Sequence, residues 1–376
     1  MSCGSLNIVV LGLSITSSWG NGHATTYRAL LRELALRGHK ILFLERNVPW
    51  YAGARDLANP PYARACLYDS LGELRKKYGR AVRNADVVIV GSYVPDGIEV
   101  GEWVIETAEG VKAFYDIDTP VTLSTLADGV NAYLAPELIP HYDLYLSFTG
   151  GPVLRKLERI YGSPMARALY CSVDPEEYFP HPTRERWILG YMGTYSNDRQ
   201  PALRELMIEP ARRRRTARMV VAGPQYPRSI RWPRNIERIE HLPPVKHRSF
   251  YNRQRLTLNL TRADMVEAGY SPSVRLFEAA ACARPIISDY WCGLEQFFTP
   301  GEEILIARSS SEVLAYLDDL SAPELNAIGR RALERIIAEH TAAHRAAELE
   351  SYIREALGLP RVRTSVAPAL KNAHAV

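Results

Sequence analysis

The sequence predicts an α/β protein made of two doubly wound, parallel-sheet halves. Short apolar runs alternate with amphipathic helical stretches, the alternation stops at a proline- and acid-rich segment, and then it starts again. At 376 residues the chain is also too long for one ordinary core, so two domains are expected from size alone. Residues 271–289, SPSVRLFEAAACARPIISD, read as loop, helix, proline-led turn and buried strand. They place a single carboxylate, Glu278, on a helix that apart from Arg275 is built from apolar and small residues.

In the first half, residues 7–11 form a strand and 24–37 a helix with Leu30, Leu31, Leu34 and Ala35 on its apolar face, closed by Gly38. Strands follow at 40–44, 87–90, 111–115 and 144–147. The break is YCSVDPEEYFPHP, residues 170–182, whose three prolines and several acids read as a linker. Strands then recur at 188–192, 219–222, 238–240, 256–260, 286–288 and 304–307, with helices at 202–213, 274–283 and 311–320. Residues 322–357 are helical and charged. The last stretch is rich in Pro, Ala and Arg without periodicity and is expected to be disordered. The expected boundaries are a first Rossmann-like domain at 1–172, a linker at 173–185, a second at 186–340, a returning helix at 341–358 and a tail at 359–376. In such sheets ligands bind beyond the carboxyl ends of the strands, so two domains facing one another would share a cleft.

With 47% hydrophobic and 23% charged residues and a formal charge of +4, the composition is that of an ordinary globular protein. The one dense basic run, residues 212–215, follows a helical stretch and reads as a solvated helix end. No stacking platform or zinc finger accompanies it, and no nucleic-acid partner is expected. The five cysteines, odd in number and without CxxC spacing, argue against a disulfide framework and for a reducing compartment. No signal-like leader or long apolar run is seen, so the expected location is the cytoplasm, with peripheral membrane contact left open.

Candidate residues cluster where strands end. The first strand leads into LGLSITSSWGNGHATT, where Gly20, Asn21 and Gly22 give the backbone close access to an anion or a sugar. His23 at the helix start could donate to a substrate oxygen; a flexible turn and a structural histidine are the plainer readings. Asp116 and Asp118, in KAFYDIDTP, suit sugar hydroxyls, base chemistry or a helix start. The DxD spacing is too common to carry a metal site, and no metal is expected. In the second half, Gly193 ends a strand and a polar loop carries Arg199 to the next helix, where a guanidinium could neutralise a diphosphate. Ser271 or Ser273 can cap the helix that follows. Arg275 lies three residues before Glu278 on one helical face. The pair is either a surface ion pair or a division of labour, with Arg275 and the helix N–H groups meeting phosphate and Glu278 accepting from ribose hydroxyls.

Together these segments resemble the GT-B glycosyltransferases, in particular the CgeB-like (spore-maturation) branch of the group-1 type. SPSVRLFEAAACARPIISD looks like that family's nucleotide-sugar motif, CSVDPEEYFP its interdomain linker, and YMGTYSNDRQ the opening of its second domain. The resemblance covers residues 7–357. It implies two Rossmann-like domains facing across a cleft, with a C-terminal helix crossing back to the first. The first domain would be the acceptor side and the second the donor side. It also implies a nucleotide-diphospho-sugar donor, no cofactor, no metal and retention of anomeric configuration. On that basis Glu278 would bind the ribose. Gly193, Ser273, Val274 and Arg275 would line the donor, and Arg199 would replace a phosphate-binding lysine. Gly20, Asn21, Gly22 and His23 would form the acceptor or sugar loop. Asp116, Asp118 and Arg199 are the catalytic candidates.

The chain also departs from the family. The first glutamate of the usual E-x7-E pair falls at Tyr270, with Glu267 out of register, and Thr194 stands where an arginine is customary. The Asp116–Asp118 region takes the place of a first-domain histidine. The acceptor would be a glycan, lipid, protein or small molecule. Two alternatives are a nucleotide-sugar epimerase on the same fold and a non-catalytic nucleotide-sugar-binding protein. The linker and the Glu278 helix fit a transferase better than the first, and the missing glutamate gives weight to the second.

Overall fold

A computed structural model describes residues 4–359. The tail expected to be disordered lies, from residue 360 on, outside the described residues. The chain divides into two compact units. One takes the residues up to Ser172 together with a segment that begins at Ala342, and the other runs from Val173 to Thr341.

The first unit holds β1 (Asn7–Gly12), β2 (Lys40–Arg46), β3 (Arg64–Tyr68), β4 (Val87–Gly91), β5 (Val111–Asp116), β6 (Leu144–Ser147) and β7 (Ala166–Ala168). They form one sheet in the order β3-β2-β1-β4-β5-β6-β7, parallel throughout. Every residue of β4 and β6 is buried, as expected for strands covered by helices on both faces. Strand order reverses between β1 and β4, which puts the switch point of the sheet between the loops that follow those two strands.

The second unit holds β8 (Trp187–Met192), β9 (Met219–Ala222), β10 (Ile236–Ile239), β11 (Gln254–Asn259), β12 (Ile286–Ser288) and β13 (Leu305–Ile306). Their order is β10-β9-β8-β11-β12-β13, again all parallel, with the switch between β8 and β11. Leu189, Val221, Leu256, Leu258 and Ile287 from the sheet pack with Leu206, Met207 and Val313 from the helices to form its core.

Several elements differ from the sequence reading. β3 and β7 had no counterpart in it; both are edge strands, and their half-exposed residues lack a clear apolar run. The helix expected at 202–213 is three pieces, Gln200–Leu203, a π turn at Arg204–Ile208, and Glu209–Arg213. The Glu209 N–H bonds to the Arg204 carbonyl five residues back, immediately before Pro210, which has no N–H to continue the α ladder. In the basic run beyond it, Arg212 bonds Glu209, Arg213 bonds Ser311 and Arg214 bonds Asp318. The charged stretch at 322–357 is two helices, Ala322–Glu339 and Ala342–Ala356. Between them Thr341 forms a bridge with Val173.

The helix Ala342–Ala356 belongs to the first unit and packs on the helix Gly22–Leu36. Its Glu350 is clasped by the buried His39 and by Arg37. The Leu6 N–H donates to His39 Nδ1 at 3.1 Å, so Nε2 carries the proton given to Glu350 at 2.6 Å. Tyr352 donates to the Ala168 carbonyl, and Arg167 pairs with Glu355.

Candidate functional site

At the carboxyl edge of the first unit, the loop after β1 is pinned rather than flexible. Glu45, fully buried at the end of β2, accepts from Ser14 Oγ (2.9 Å), Ile15 N (2.8 Å), Thr16 N (3.0 Å) and Thr16 Oγ1 (2.6 Å). Asp56 accepts from the N–H and hydroxyl of Ser18 and binds both terminal nitrogens of Arg28. The Arg28 bond, helped by those from Ser18, holds the Asp56 carboxyl well below the usual range against the opposing effect of burial. Asn21 caps the helix Gly22–Leu36 by accepting from the His23 N–H at 3.0 Å, and its amide donates to the Ser17 carbonyl. Gly20 has φ +60°, a left-handed conformation that glycine adopts without strain.

His23 sits one residue into that helix, half-buried, and its Nδ1 is buried with no hydrogen-bond partner. Burial lowers its pKa to about 4, so the ring is neutral near pH 7. Tyr93, just past β4, meets the His23 ring edge-on at 5.4 Å and packs against Tyr133 at 4.5 Å. Its hydroxyl donates to Asp118 Oδ2 at 3.1 Å.

The two aspartates separate in role. Asp116 is 0% exposed. Its Oδ1 accepts from Thr122 Oγ1 (2.7 Å) and the Asp118 N–H (3.2 Å), and its Oδ2 accepts from the Tyr145 hydroxyl (2.7 Å). Burial raises its pKa to about 6 against the opposing bonds from Tyr145 and Thr122. Asp116 is thus an internal carboxylate with both oxygens engaged in fixing the loop, whereas Asp118 is half-buried.

The carboxyl edge of the second unit is cationic. Gly193 follows β8 and Gly223 follows β9, and a Cβ on Gly223 would lie 2.0 Å from the Gly193 carbonyl oxygen. Arg199 turns back into its own loop, donating from Nε to Ser196 Oγ (2.9 Å) and from Nη2 to the Thr194 carbonyl (2.7 Å). Burial above all lowers the pKa of its guanidinium, and the nearby positive charges of Arg275 and Arg262 act in the same direction. Arg275 lies over the Tyr191 ring at 4.9 Å, bonds the Met192 carbonyl through Nε and reaches Asn259 Oδ1 through Nη1 at 2.7 Å.

Ser273 occupies the N-cap position of the helix Val274–Ala281 but makes no side-chain cap bond. Its hydroxyl donates instead to Asn259 Oδ1 at 2.8 Å. The cap expected of Ser273 is therefore absent. One turn on, Glu278 is 6% exposed: the Tyr251 hydroxyl donates to Oε2 at 2.7 Å, and Tyr178 lies close enough for the carboxylate's charge to act on its hydroxyl. Burial first, and the Glu278 charge second, push both tyrosines well above their ordinary pKa. Tyr270, where the resembling family carries its first glutamate, has φ +48°, a strained conformation for a tyrosine.

Among the predicted residues, the structure thus gathers Gly193, Arg199, Ser273, Val274, Arg275 and Glu278 at the β8/β11 switch of the second unit. Gly20, Asn21, Gly22, His23 and Asp118 gather at the β1/β4 switch of the first. Sequence reasoning missed Tyr93, Tyr133, Glu45, Tyr178, Tyr251 and Asn259. Tyr93, Glu45 and Asn259 stand at strand ends, so asking what ends every strand would have found them; the others meet partners too distant in sequence for any local signal. An open groove of about 700 Å³ beside Asn7, Lys40 and Arg80 lies at the amino ends of β1 and β2, opposite these residues, and is no part of the site. Among the described residues, no group of three or more His, Cys, Asp or Glu side chains is placed to hold a metal ion.

Residues 199–351 match the family model described as glycosyl transferase-like. The fold is that of the GT-B glycosyltransferases. Sucrose-phosphate synthase from Thermosynechococcus elongatus superposes with a TM-score of 0.67 at 12% identity, over 94% of this chain and 99% of that one. Anabaena HepE in complex with UDP-glucose gives 0.68 at 11% identity, over 94% and 99%. An alpha-glucosyltransferase in complex with UDP-glucose and DNA containing an abasic site gives 0.68 at 10% identity, over 93% and 100%. No curated protein matches the sequence. The chain carries a glycosyltransferase-like domain on a GT-B fold.

Proposed function

We propose that this protein transfers a sugar from a nucleotide-diphospho-sugar to an acceptor hydroxyl. In this reading the second unit binds the donor and the first unit the acceptor. The observation that carries it is the uncapped start of the helix Val274–Ala281, with Arg275 beside it and Glu278 one turn on. The N–H groups of a helix start, its dipole and guanidinium groups suit a diphosphate, and a carboxylate one turn on suits a ribose diol. As the bond between the anomeric carbon and the phosphate oxygen breaks, negative charge grows on the leaving diphosphate. Arg275, Arg199 and the helix N–H groups would stabilise it in place. Asp118 would accept from the acceptor hydroxyl or support positive charge on the sugar.

Assignment to the CgeB-like branch, retention and independence of metal rest on the sequence resemblance. A cytoplasmic setting rests on the cysteine pattern; among the described residues the cysteines form no disulfide, and no helix is long and apolar enough to cross a membrane. HepE and the alpha-glucosyltransferase, each held with UDP-glucose, make uracil the first base to test. The DNA in the latter adds DNA to the acceptor panel.

The test is a thermal-shift panel of UDP-, GDP- and dTDP-sugars, since a ligand of the folded state raises the midpoint by mass action. One base should raise it, and Arg275→Ala should weaken that ligand by about 10- to 100-fold. If no nucleotide sugar shifts the midpoint, the proposal fails. Arg275→Lys should not restore binding, because an ammonium cannot reproduce the planar fork that reaches Met192 and Asn259 together.

A further inference from the structure

The carboxyl edge of the first unit has features that its fold alone does not require. Tyr93 has φ +61°, a conformation costly for a bulky residue, and the residue is nevertheless 37% exposed. Its surroundings hold it there. The ring packs on Tyr133 at 4.5 Å, and the hydroxyl donates to Asp118 at 3.1 Å. The His23 ring meets it at 5.4 Å, with a buried Nδ1 that has no hydrogen-bond partner. These residues come from four separate segments and converge beside the β1/β4 switch point, where a ligand is expected.

We propose that Tyr93 and Asp118, backed by Tyr133 and His23, form the subsite for a carbohydrate acceptor. Tyr93 presents its ring to the C–H face of a pyranose, and Asp118 accepts from one of its hydroxyls. The inference rests on the transferase reading above and narrows its acceptor. The chemistry favours a neutral polyol over the alternatives. The negative charges of Asp116 and Asp118 both act on the Tyr93 and Tyr133 hydroxyls, raising their pKa values in addition to the larger effect of burial. An anionic headgroup or a phosphorylated alcohol would be repelled at the same place. An aromatic face next to a carboxylate and a neutral imidazole matches a sugar, which is apolar on one face and rich in hydroxyl donors at its rim.

The experiment is saturation-transfer NMR on the full chain with methyl glycosides of glucose, galactose, mannose and N-acetylglucosamine, and with glycerol phosphate as the anionic arm. Tyr93→Gly removes the ring while easing the left-handed backbone, so relief of strain offsets part of the lost contacts and a folded protein with a slightly lower thermal midpoint is expected. Tyr93→Phe keeps the ring and removes the bond to Asp118. At least one glycoside should bind the wild type, about tenfold more weakly with Tyr93→Gly and to a smaller degree with Tyr93→Phe. In transfer assays with that glycoside, Tyr93→Gly should raise the acceptor KM more than it lowers kcat. Glycoside binding unchanged by Tyr93→Gly overturns the assignment, as does binding of glycerol phosphate with no glycoside. Nucleotide-sugar binding is read in separate samples. Its absence defeats the transferase reading and leaves the glycoside result to be judged by itself.

Discussion

The two carboxyl edges of this chain are built on the same topological plan with opposite chemistry. The edge of the first unit is wired by carboxylates: Glu45, Asp56 and Asp116 hold its loops, and tyrosines line it. The edge of the second unit is cationic, with Arg199, Arg262 and Arg275 near one another and a helix start left without a side-chain cap. Each edge therefore suits a different part of the proposed reaction. Backbone N–H groups and guanidinium groups complement a diphosphate. Carboxylate, imidazole and aromatic rings complement a neutral polyol. A shared fold fixes where ligands arrive, and the residues at the strand ends decide which ligands they are.

The sharpest way to break the comparison is to remove the wiring of the first edge. Glu45→Ala leaves four donors on Ser14, Ile15 and Thr16 without their acceptor in a buried place. Each such donor costs about 1–3 kcal/mol if nothing replaces the bond, so after relaxation a loss of about 4 kcal/mol is expected. Urea denaturation measures it, and nucleotide-sugar affinity of the protein that remains folded should be unchanged. A loss below about 1 kcal/mol would mean that the loop is held by other contacts.

At the amino ends of β1 and β2 another carboxylate fixes the helix Ala342–Ala356 to the first unit, and here the effect depends on pH. Burial pushes the Glu350 carboxyl up, but the bonds from His39 and Arg37 outweigh it and bring the pKa down to about 2. A folded pKa below the unfolded value contributes stability above pH ~4.5, which is lost as pH falls toward 2. The contribution is on the order of 3 kcal/mol. Glu350→Gln should therefore be less stable than the wild type at pH 6, and the gap should shrink as pH falls from 5 to 2. Denaturation curves at matched pH test this; a gap independent of pH would remove the carboxylate's role in the clasp.

Much of this architecture was legible in the sequence because it is local. The alternation of apolar strands and amphipathic helices is short-range, so the doubly wound class and most strand positions could be read directly. Arg275 and Glu278 were legible because one helical segment carries both. Edge strands were not, since β3 and β7 bury too little to need an apolar run. Asp116 could not be told from Asp118 by pattern, because the distinction depends on Tyr145, whose hydroxyl arrives from β6 and turns one of two similar aspartates into an internal support. Glu278 was read without its tyrosine for the same reason: Tyr251 reaches it only once the unit has folded.

The smallest expected effect concerns two serines at two helix starts in the second unit. Ser309 caps the helix Ser310–Asp319 in a full capping box with Glu312. Ser273 sits at the corresponding position of the helix Val274–Ala281 and bonds Asn259 instead. Ser309→Ala should cost about 1 kcal/mol of stability and leave nucleotide-sugar binding alone. Ser273→Ala has no cap bond to lose, so it should cost less stability than Ser309→Ala. It should instead weaken the nucleotide sugar a few-fold, because Asn259 then loses one of the two donors on Oδ1 that position it beside Arg275. Paired denaturation and titration measurements on the two variants separate these outcomes. Equal stability losses with equal binding would make the Val274–Ala281 start an ordinary helix end, and the contrast between the two edges would then rest on the arginines alone.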